Sequence, residues 1–211
     1  MPGLAASSSI FEYLKLSDKH FEIHLLEWLI PESKTEPLKH YAERMCKSIK
    51  HDDFILVGVS FGGIVTQEMS NYCKPKKIIL ISSVKHENEF PKRLNVIRKT
   101  KAYKLTPIKT ISNIENFTKY AFGDKVKKRV ELYRKYLAVR DETYLSWAIY
   151  NVLHWKQENL FNEIIHIHGD DDHVFPVKNI SDCIHIKGGT HAMILNKAKQ
   201  ISTILEDVCS E

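Results

Sequence analysis

The chain has 211 residues, 43% of them hydrophobic and 27% charged, a composition typical of one soluble globular domain with a single sizeable core. No stretch approaches the roughly 18 to 20 uncharged apolar residues of a membrane span, and the first residues do not resemble a secretory leader. We therefore expect a cytoplasmic protein without a membrane partner. The four cysteines are scattered and include no CxxC pair, which predicts reduced thiols rather than disulfides or a zinc site.

The net charge of +5 is concentrated in one segment. Residues 91–136 contain fourteen lysines and arginines against three acidic residues, so this segment carries +11 and the remainder is acidic. A solvated helical face is the simplest interpretation, and attraction of an anionic substrate or loose nucleic-acid contact are the alternatives. Because the sequence contains no recognised nucleic-acid-binding module, we expect no nucleic-acid partner.

The first 84 residues alternate between helical and strand patterns. After a loop come a short helix, IFEYLKL, capped by one of Ser7 to Ser9, a strand, FEIHLLEWL, and an amphipathic helix, EPLKHYAERMCKSIK. An apolar strand, DDFILVGVS, then leads into a helix, GGIVTQEMSNYC, and a second apolar strand, KKIILISSV. Continuous apolar strands separated by a helix are typical of a parallel sheet that is covered on both faces. The fold class is therefore α/β.

The pattern changes after residue 84. Residues 85–158 lack a convincing buried strand but contain helical patterns, such as DKVKKRVELYRKYLA and ETYLSWAIYNVLHW. Two strands, NEIIHIHG and CIHIKGG, and a closing helix, AMILNKAKQISTILEDVC, follow. We therefore predict a core made of residues 1–84 and 159–211, with residues 85–158 inserted as a helical cap within a single domain overall.

Four short motifs lie at predicted element boundaries. The stretch GVSFGG (58–63) at a strand-to-helix turn resembles the nucleophile elbow of the α/β-hydrolase family. Downstream, HGDDDHVFP (168–176) resembles the acid loop of that family and GGTHAMIL (188–195) its final histidine loop. Upstream, PGLAA (2–6) resembles its oxyanion loop. The order of serine, aspartate and histidine also agrees with the family.

The resemblance implies an α/β-hydrolase fold, a mostly parallel central sheet flanked by helices. It also implies a catalytic triad of Ser60, Asp172 and His191, with the backbone N–H groups of Leu4 and Phe61 as the oxyanion hole. A serine hydroxyl is a weak nucleophile at neutral pH, so it needs an imidazole base and a carboxylate that orients the imidazole. This chemistry requires no cofactor and no metal.

The acid loop contains two ambiguities. Asp170, Asp171 and Asp172 are adjacent, and the spacing from the glycine and the proline of the family motif selects Asp172. The overlapping stretch HIHGDDDH also resembles the HxHxDH signature of metallo-β-lactamase-like hydrolases, with His166 and His168 as zinc ligands. An aspartate stands where that signature needs its last histidine, which favours two partly buried or carbonyl-anchored rings instead.

A closer resemblance concerns the N-terminal loop. GLAASSSIF is similar to the GLGADxxxF loop of a group of small bacterial hydrolases, and Trp28 and Pro31 match their next strand. The resemblance implies hydrolysis of a carboxylic ester or related acyl bond through an acyl-serine intermediate, with a small-molecule acyl substrate. The alternative is a catalytically impaired relative that binds a ligand or partner through its basic helical lobe.

The sequence departs from the family at its start. Pro2 begins the oxyanion loop with only Met1 before it, so the strands that precede this loop in the family are missing from this sequence. Either FEIHLL pairs directly with FILVGV, or a slot with unpaired backbone groups remains beside FILVGV. An open sheet edge of this kind is also a place where two copies could pair as a homodimer.

Overall fold

A four-stranded parallel sheet forms the centre of the protein. The computed structural model describes residues 1–105, 135–159 and 161–210. The strands are β1 (Ile55–Val59), β2 (Lys77–Ile81), β3 (Ile164–Gly169) and β4 (Ile184–Ile186), and they lie side by side in the order β1-β2-β3-β4. The last four residues of β2 are fully buried, as expected for an apolar strand inside a sheet that is covered on both faces.

Helices flank this sheet. They are α1 (Leu38–Cys46), α2 (Phe61–Cys73), α3 (Lys92–Thr100), α4 (Glu142–His154), α5 (Met193–Asn196) and α6 (Ala198–Ser210), with short 3-10 turns at Ser8–Phe11, Glu87–Glu89, Ala102–Leu105 and Val177–Asn179. The first nine residues of α2 are buried because this helix lies between the sheet and α1. Within the described ranges, every helix is too short or too polar to span a bilayer.

Most of the predicted elements are present. All four strands from FILVGV onward form as predicted, and ETYLSWAIYNVLH forms α4, whose first turn is capped by the Asp141 carboxylate. The closing helix is divided at Lys197 into α5 and α6. In the described parts of 85–158 we find α3 and α4 and no strand, whereas the predicted helix DKVKKRVELYRKYLA lies largely outside the described residues. The boundaries of the cap stay a prediction.

The predicted strand FEIHLLEWL is wrong. Residues 21–30 form no strand, and Ile23 and Leu25 leave 51% and 54% of their surface exposed. A strand requires backbone hydrogen bonds to a neighbouring strand, and among the described residues no strand pairs with this segment. The edge of β1 is instead contacted by Met1, whose amino group donates to Val57 O at 2.7 Å and whose carbonyl accepts from Val59 N at 3.0 Å. Direct pairing of FEIHLL with FILVGV is therefore not observed, and Met1 supplies hydrogen bonds along part of that edge of β1.

The predicted helix IFEYLKL is also wrong. Only a 3-10 turn forms, at Ser8–Phe11. Ser7 occupies the position before this turn, but its hydroxyl meets Ser9 Oγ at 2.5 Å and caps no backbone N–H. The segment is fixed from outside, because Ser7 N donates to Tyr136 O and Lys15 N donates to Ser202 Oγ. These tertiary hydrogen bonds override the local helical pattern.

Candidate active site

Ser60 lies at the sharp turn between β1 and α2. Its backbone has φ 52° and ψ −120°, a left-handed conformation that is strained for a residue with a side chain. Such strain persists only where the surroundings hold it in place. Ser60 N donates to Ile81 O at 3.0 Å, and Ser83 Oγ donates to Ser60 O at 2.7 Å. The turn thus presents the hydroxyl beyond the carboxyl end of the sheet.

Two glycines of GVSFGG make this turn possible. A Cβ atom at Gly58 would lie 2.6 Å from Gly62 O and from Thr66 Oγ1, and a Cβ at Gly62 would lie 2.3 Å from Pro2 O. Real Cβ atoms do not approach backbone oxygen so closely. The elbow and the N-terminal loop therefore pack together only because these positions carry no side chain.

Three distant side chains converge at this turn. His191 Nε2 lies 2.9 Å from Ser60 Oγ, and His191 Nδ1 lies 2.8 Å from Asp172 Oδ2. A carboxylate can only accept a hydrogen bond, so His191 Nδ1 carries the proton and the unprotonated Nε2 can accept the hydroxyl proton. His191 comes from the loop between β4 and α5, and Asp172 from the loop after β3. The structure thus brings together all three side chains of the predicted triad.

Asp172 is buried and held by its own loop. Its Oδ1 accepts hydrogen bonds from Val174 N at 2.7 Å and Phe175 N at 2.9 Å. Burial by itself raises the pKa of Asp172, but the attraction and hydrogen bond of His191, with the Phe175 amide, outweigh it and hold the pKa below its ordinary value. The group is therefore an ionised carboxylate at neutral pH.

The structure separates the three adjacent aspartates. Asp170 Oδ1 accepts from Gly188 N at 2.6 Å, which ties the acid loop to the histidine loop. Asp171 is exposed and pairs with His173 at 3.3 Å. Only Asp172 of the three reaches His191.

The N-terminal loop passes close to Ser60. A Cβ atom at Gly3 would lie 3.5 Å from Ser60 Cβ, which places the peptide that joins Gly3 to Leu4 beside the serine. Neither Leu4 N nor Phe61 N donates a hydrogen bond to any residue that the structure describes. Both are backbone donors next to Ser60, and Phe61 is the first residue of α2, where the helix dipole is positive.

Side chains from two other segments fix this loop. The indole of Trp28 donates to Gly3 O at 3.1 Å, and Ala5 N donates to the Tyr144 hydroxyl at 3.3 Å. Trp28 also stacks on Phe61, with ring centroids 5.3 Å apart. The loop is therefore anchored from both sides although β1 has no full neighbouring strand there.

A buried histidine pair supports Asp172, a role that the sequence analysis did not assign. His168 Nε2 lies 2.8 Å from Phe175 O and 3.5 Å from Asp172 Oδ2. Because a carbonyl only accepts, Nε2 of His168 is protonated, and its Nδ1 then accepts from His166 Nε2 at 3.2 Å. His168 thus clamps the turn whose amides bind Asp172. The HxHG spacing offered the only sequence signal, since it places both rings on one face of β3.

Burial determines the charge of this pair. It lowers the pKa of His166 to about 3, and it also lowers the pKa of His168. Both rings are neutral at neutral pH. The groups of potential metal ligands that converge among the described residues include neither His166 nor His168.

This histidine pair should make the protein sensitive to acid. An unfolded histidine has a pKa near 6.5, so between about pH 6.5 and pH 3 the unfolded chain binds a proton that folded His166 does not, and stability is lost as the pH falls. Between pH 7 and pH 4.5 this one group should cost about 3 kcal/mol of unfolding free energy. Urea unfolding at both pH values measures the loss. His166→Gln, which keeps a donor but does not titrate, should lose less, and an equal loss in both proteins would contradict this account.

The comparisons with known proteins give the fold. No protein-family model matches the chain, and no curated protein matches it. Solved structures do match. An α/β-hydrolase enzyme from a Medee basin deep-sea metagenome library gives a TM-score of 0.63 at 12% sequence identity, with 100% of this chain and 88% of that chain covered.

Two further structures agree. A bromoperoxidase from Bacillus anthracis gives a TM-score of 0.66 at 16% identity, covering 100% of this chain and 92% of that chain. A thermophilic esterase from Thermogutta terrifontis gives 0.62 at 11% identity, covering 99% and 87%. The chain therefore has an α/β-hydrolase fold, as the sequence predicts. One fold carries several chemistries, so function must be argued from the site.

Proposed function

We propose that the protein is a serine hydrolase that cleaves a small carboxylic ester or related acyl bond. The observation that carries this proposal is the line of contacts from Ser60 Oγ through His191 to buried Asp172, at 2.9 Å and 2.8 Å. A hydroxyl, an imidazole of defined tautomer and an ionised carboxylate in this order are the parts that nucleophilic acyl transfer requires.

The first half of the proposed reaction forms an acyl-enzyme. Ser60 Oγ attacks the carbonyl carbon of the ester while His191 Nε2 accepts the hydroxyl proton, and Asp172 stabilises the imidazolium that results. The carbonyl oxygen becomes an oxyanion, which we assign to the N–H groups of Leu4 and Phe61, since neither donates to another described residue. The tetrahedral intermediate then collapses, and His191 returns the proton to the departing alcohol.

The second half restores the serine. A water molecule gives a proton to His191 Nε2 and attacks the acyl carbon, and collapse of the second intermediate releases a carboxylic acid as the proton returns to Ser60. Two of the structures with this fold are described as an esterase and a lipase-esterase related protein, which supports an ester as the substrate class. The basic residues of segment 91–136 make an anionic acyl substrate our preferred candidate within that class.

The test is covalent labelling with a fluorophosphonate. This reagent phosphonylates only a serine that a neighbouring base activates, so we expect stoichiometric modification of Ser60, located by mass spectrometry of the digested protein. Hydrolysis of p-nitrophenyl acetate should disappear as the label is incorporated.

The matched control is Ser33→Ala, which removes an exposed hydroxyl outside the site and should label like the native protein. A folded protein that neither labels nor hydrolyses the ester would overturn the proposal. It would favour the impaired protein that binds through its basic lobe instead.

A further inference from the structure

Three exposed metal-binding side chains converge away from the candidate active site. His24 Nε2 lies 2.9 Å from Glu22 Oε1, and the rings of His24 and His51 lie with centroids 4.5 Å apart. One potential ligand atom from each of Glu22, His24 and His51 lies within 4.8 Å of the others. Glu22 and His24 belong to segment 21–30, and His51 belongs to the loop before β1.

The donor set suits a divalent transition metal. Imidazole nitrogen and carboxylate oxygen bind Zn²⁺ at about 2.0 to 2.2 Å, and three protein ligands leave the fourth tetrahedral position for water. His24 Nε2 already lies 2.9 Å from Glu22 Oε1, so the two side chains can bind one ion together. All three side chains are exposed, so small rotations can bring their donors to coordination distance without moving a packed core.

A second cluster of the same kind shows what disfavours a metal. Glu32, Glu36 and His40 also converge, but Arg44 lies 2.8 Å from Glu36 Oε1 and 3.5 Å from Glu32 Oε1. A guanidinium therefore already supplies the positive charge there. Among the described residues, no lysine or arginine pairs with Glu22, which forms an ionic contact with His24 alone.

We infer that Glu22, His24 and His51 form a binding site for Zn²⁺ or a similar divalent ion, which ties segment 21–30 to the loop before β1. The backbone N–H groups of residues 22–30 donate to no residue that the structure describes, so a bound ion would add to the side-chain contacts that hold this segment, such as the Tyr41 hydroxyl on Leu29 O at 2.9 Å. The same segment carries Trp28, whose indole holds Gly3 O. A metal ion bound here would therefore help to hold the segment whose Trp28 supports the N-terminal loop.

Calorimetric titration of the full chain with ZnCl₂ tests the inference. We expect one ion per chain, with His24→Ala and His51→Ala each weakening binding at least tenfold. Saturating Zn²⁺ should raise the melting temperature by roughly 5 °C at a hundredfold excess over Kd. It should also slow hydrogen exchange of the amides in residues 22–30.

The matched control is His20→Ala, which removes an exposed histidine just before this segment and outside the cluster. It should bind Zn²⁺ like the native protein. Titration with Co²⁺ separates this site from the cysteines, because thiolate ligands add an intense near-ultraviolet absorption that histidine and carboxylate do not. Unchanged affinity in the His24→Ala, His51→Ala double variant, absence of stoichiometric binding, or a thiolate band would each overturn the inference. None of these outcomes depends on hydrolytic activity.

Discussion

Replacement of His191 by alanine should lower kcat for an ester substrate by roughly 10⁶-fold, the size of effect that removal of the histidine has in a serine protease triad. The native imidazole accepts the Ser60 proton over 2.9 Å, and no other base among the described residues contacts that hydroxyl. Without it, Ser60 must attack as a neutral alcohol. Steady-state hydrolysis of p-nitrophenyl acetate, with the fluorophosphonate labelling rate as a second readout, measures the loss.

The fold should survive this substitution. His191 is half-buried, and its ring contacts Phe175 at a centroid distance of 5.3 Å, so its removal exposes the site without opening the core. His185→Ala, which removes an exposed ring from β4, is the matched control and should retain native kcat. If His191→Ala kept more than about one hundredth of native activity with intact circular dichroism, general-base catalysis by this residue would be excluded.

Much of the fold and the whole predicted triad follow from local signals. The strands β1, β2 and β3 are apolar runs of β-branched residues bounded by turns, so pattern and burial agree. The elbow can be recognised from its glycines. A side chain at position 58 would collide with Gly62 O and Thr66, and one at position 62 would collide with Pro2 O. Parallel strands then bring the loops after β1, β3 and β4 to one edge, where Ser60, Asp172 and His191 meet.

Non-local effects explain what the sequence could not predict. FEIHLLEWL has a strand pattern, but a strand exists only with a partner strand, and among the described residues the free edge of β1 is hydrogen-bonded by Met1. The supporting role of His168 could not be predicted either, because it depends on the fold of the loop after β3, which places Phe175 O 2.8 Å from His168 Nε2. The hydrophobic pattern of a sequence predicts which residues are buried. It does not predict which backbone group a buried histidine ring will contact.

Asp172→Asn should lower kcat by about 10⁴-fold while leaving the fold nearly unchanged, as the equivalent change does in a serine protease. Asparagine has the same shape, and its carbonyl oxygen can still accept from Val174 N and Phe175 N, which now bind Oδ1. Its amide group would then face His191 Nδ1 and donate to it. This reverses the tautomer, so that Nε2 carries the proton and can no longer accept one from Ser60.

The pH dependence separates this mechanism from loss of structure. A reversed tautomer can be relieved when hydroxide deprotonates the site, so the activity of Asp172→Asn should recover partly at high pH, while that of the native protein stays level. Asp171→Asn is the matched control, since this neighbouring carboxylate is exposed and pairs only with His173 among the described residues. Equal losses in the two variants would mean that the loop, and not the carboxylate on His191, limits the reaction. A loss confined to Asp172→Asn assigns the orienting role to Asp172, the one buried aspartate in the part of the chain that the structure describes.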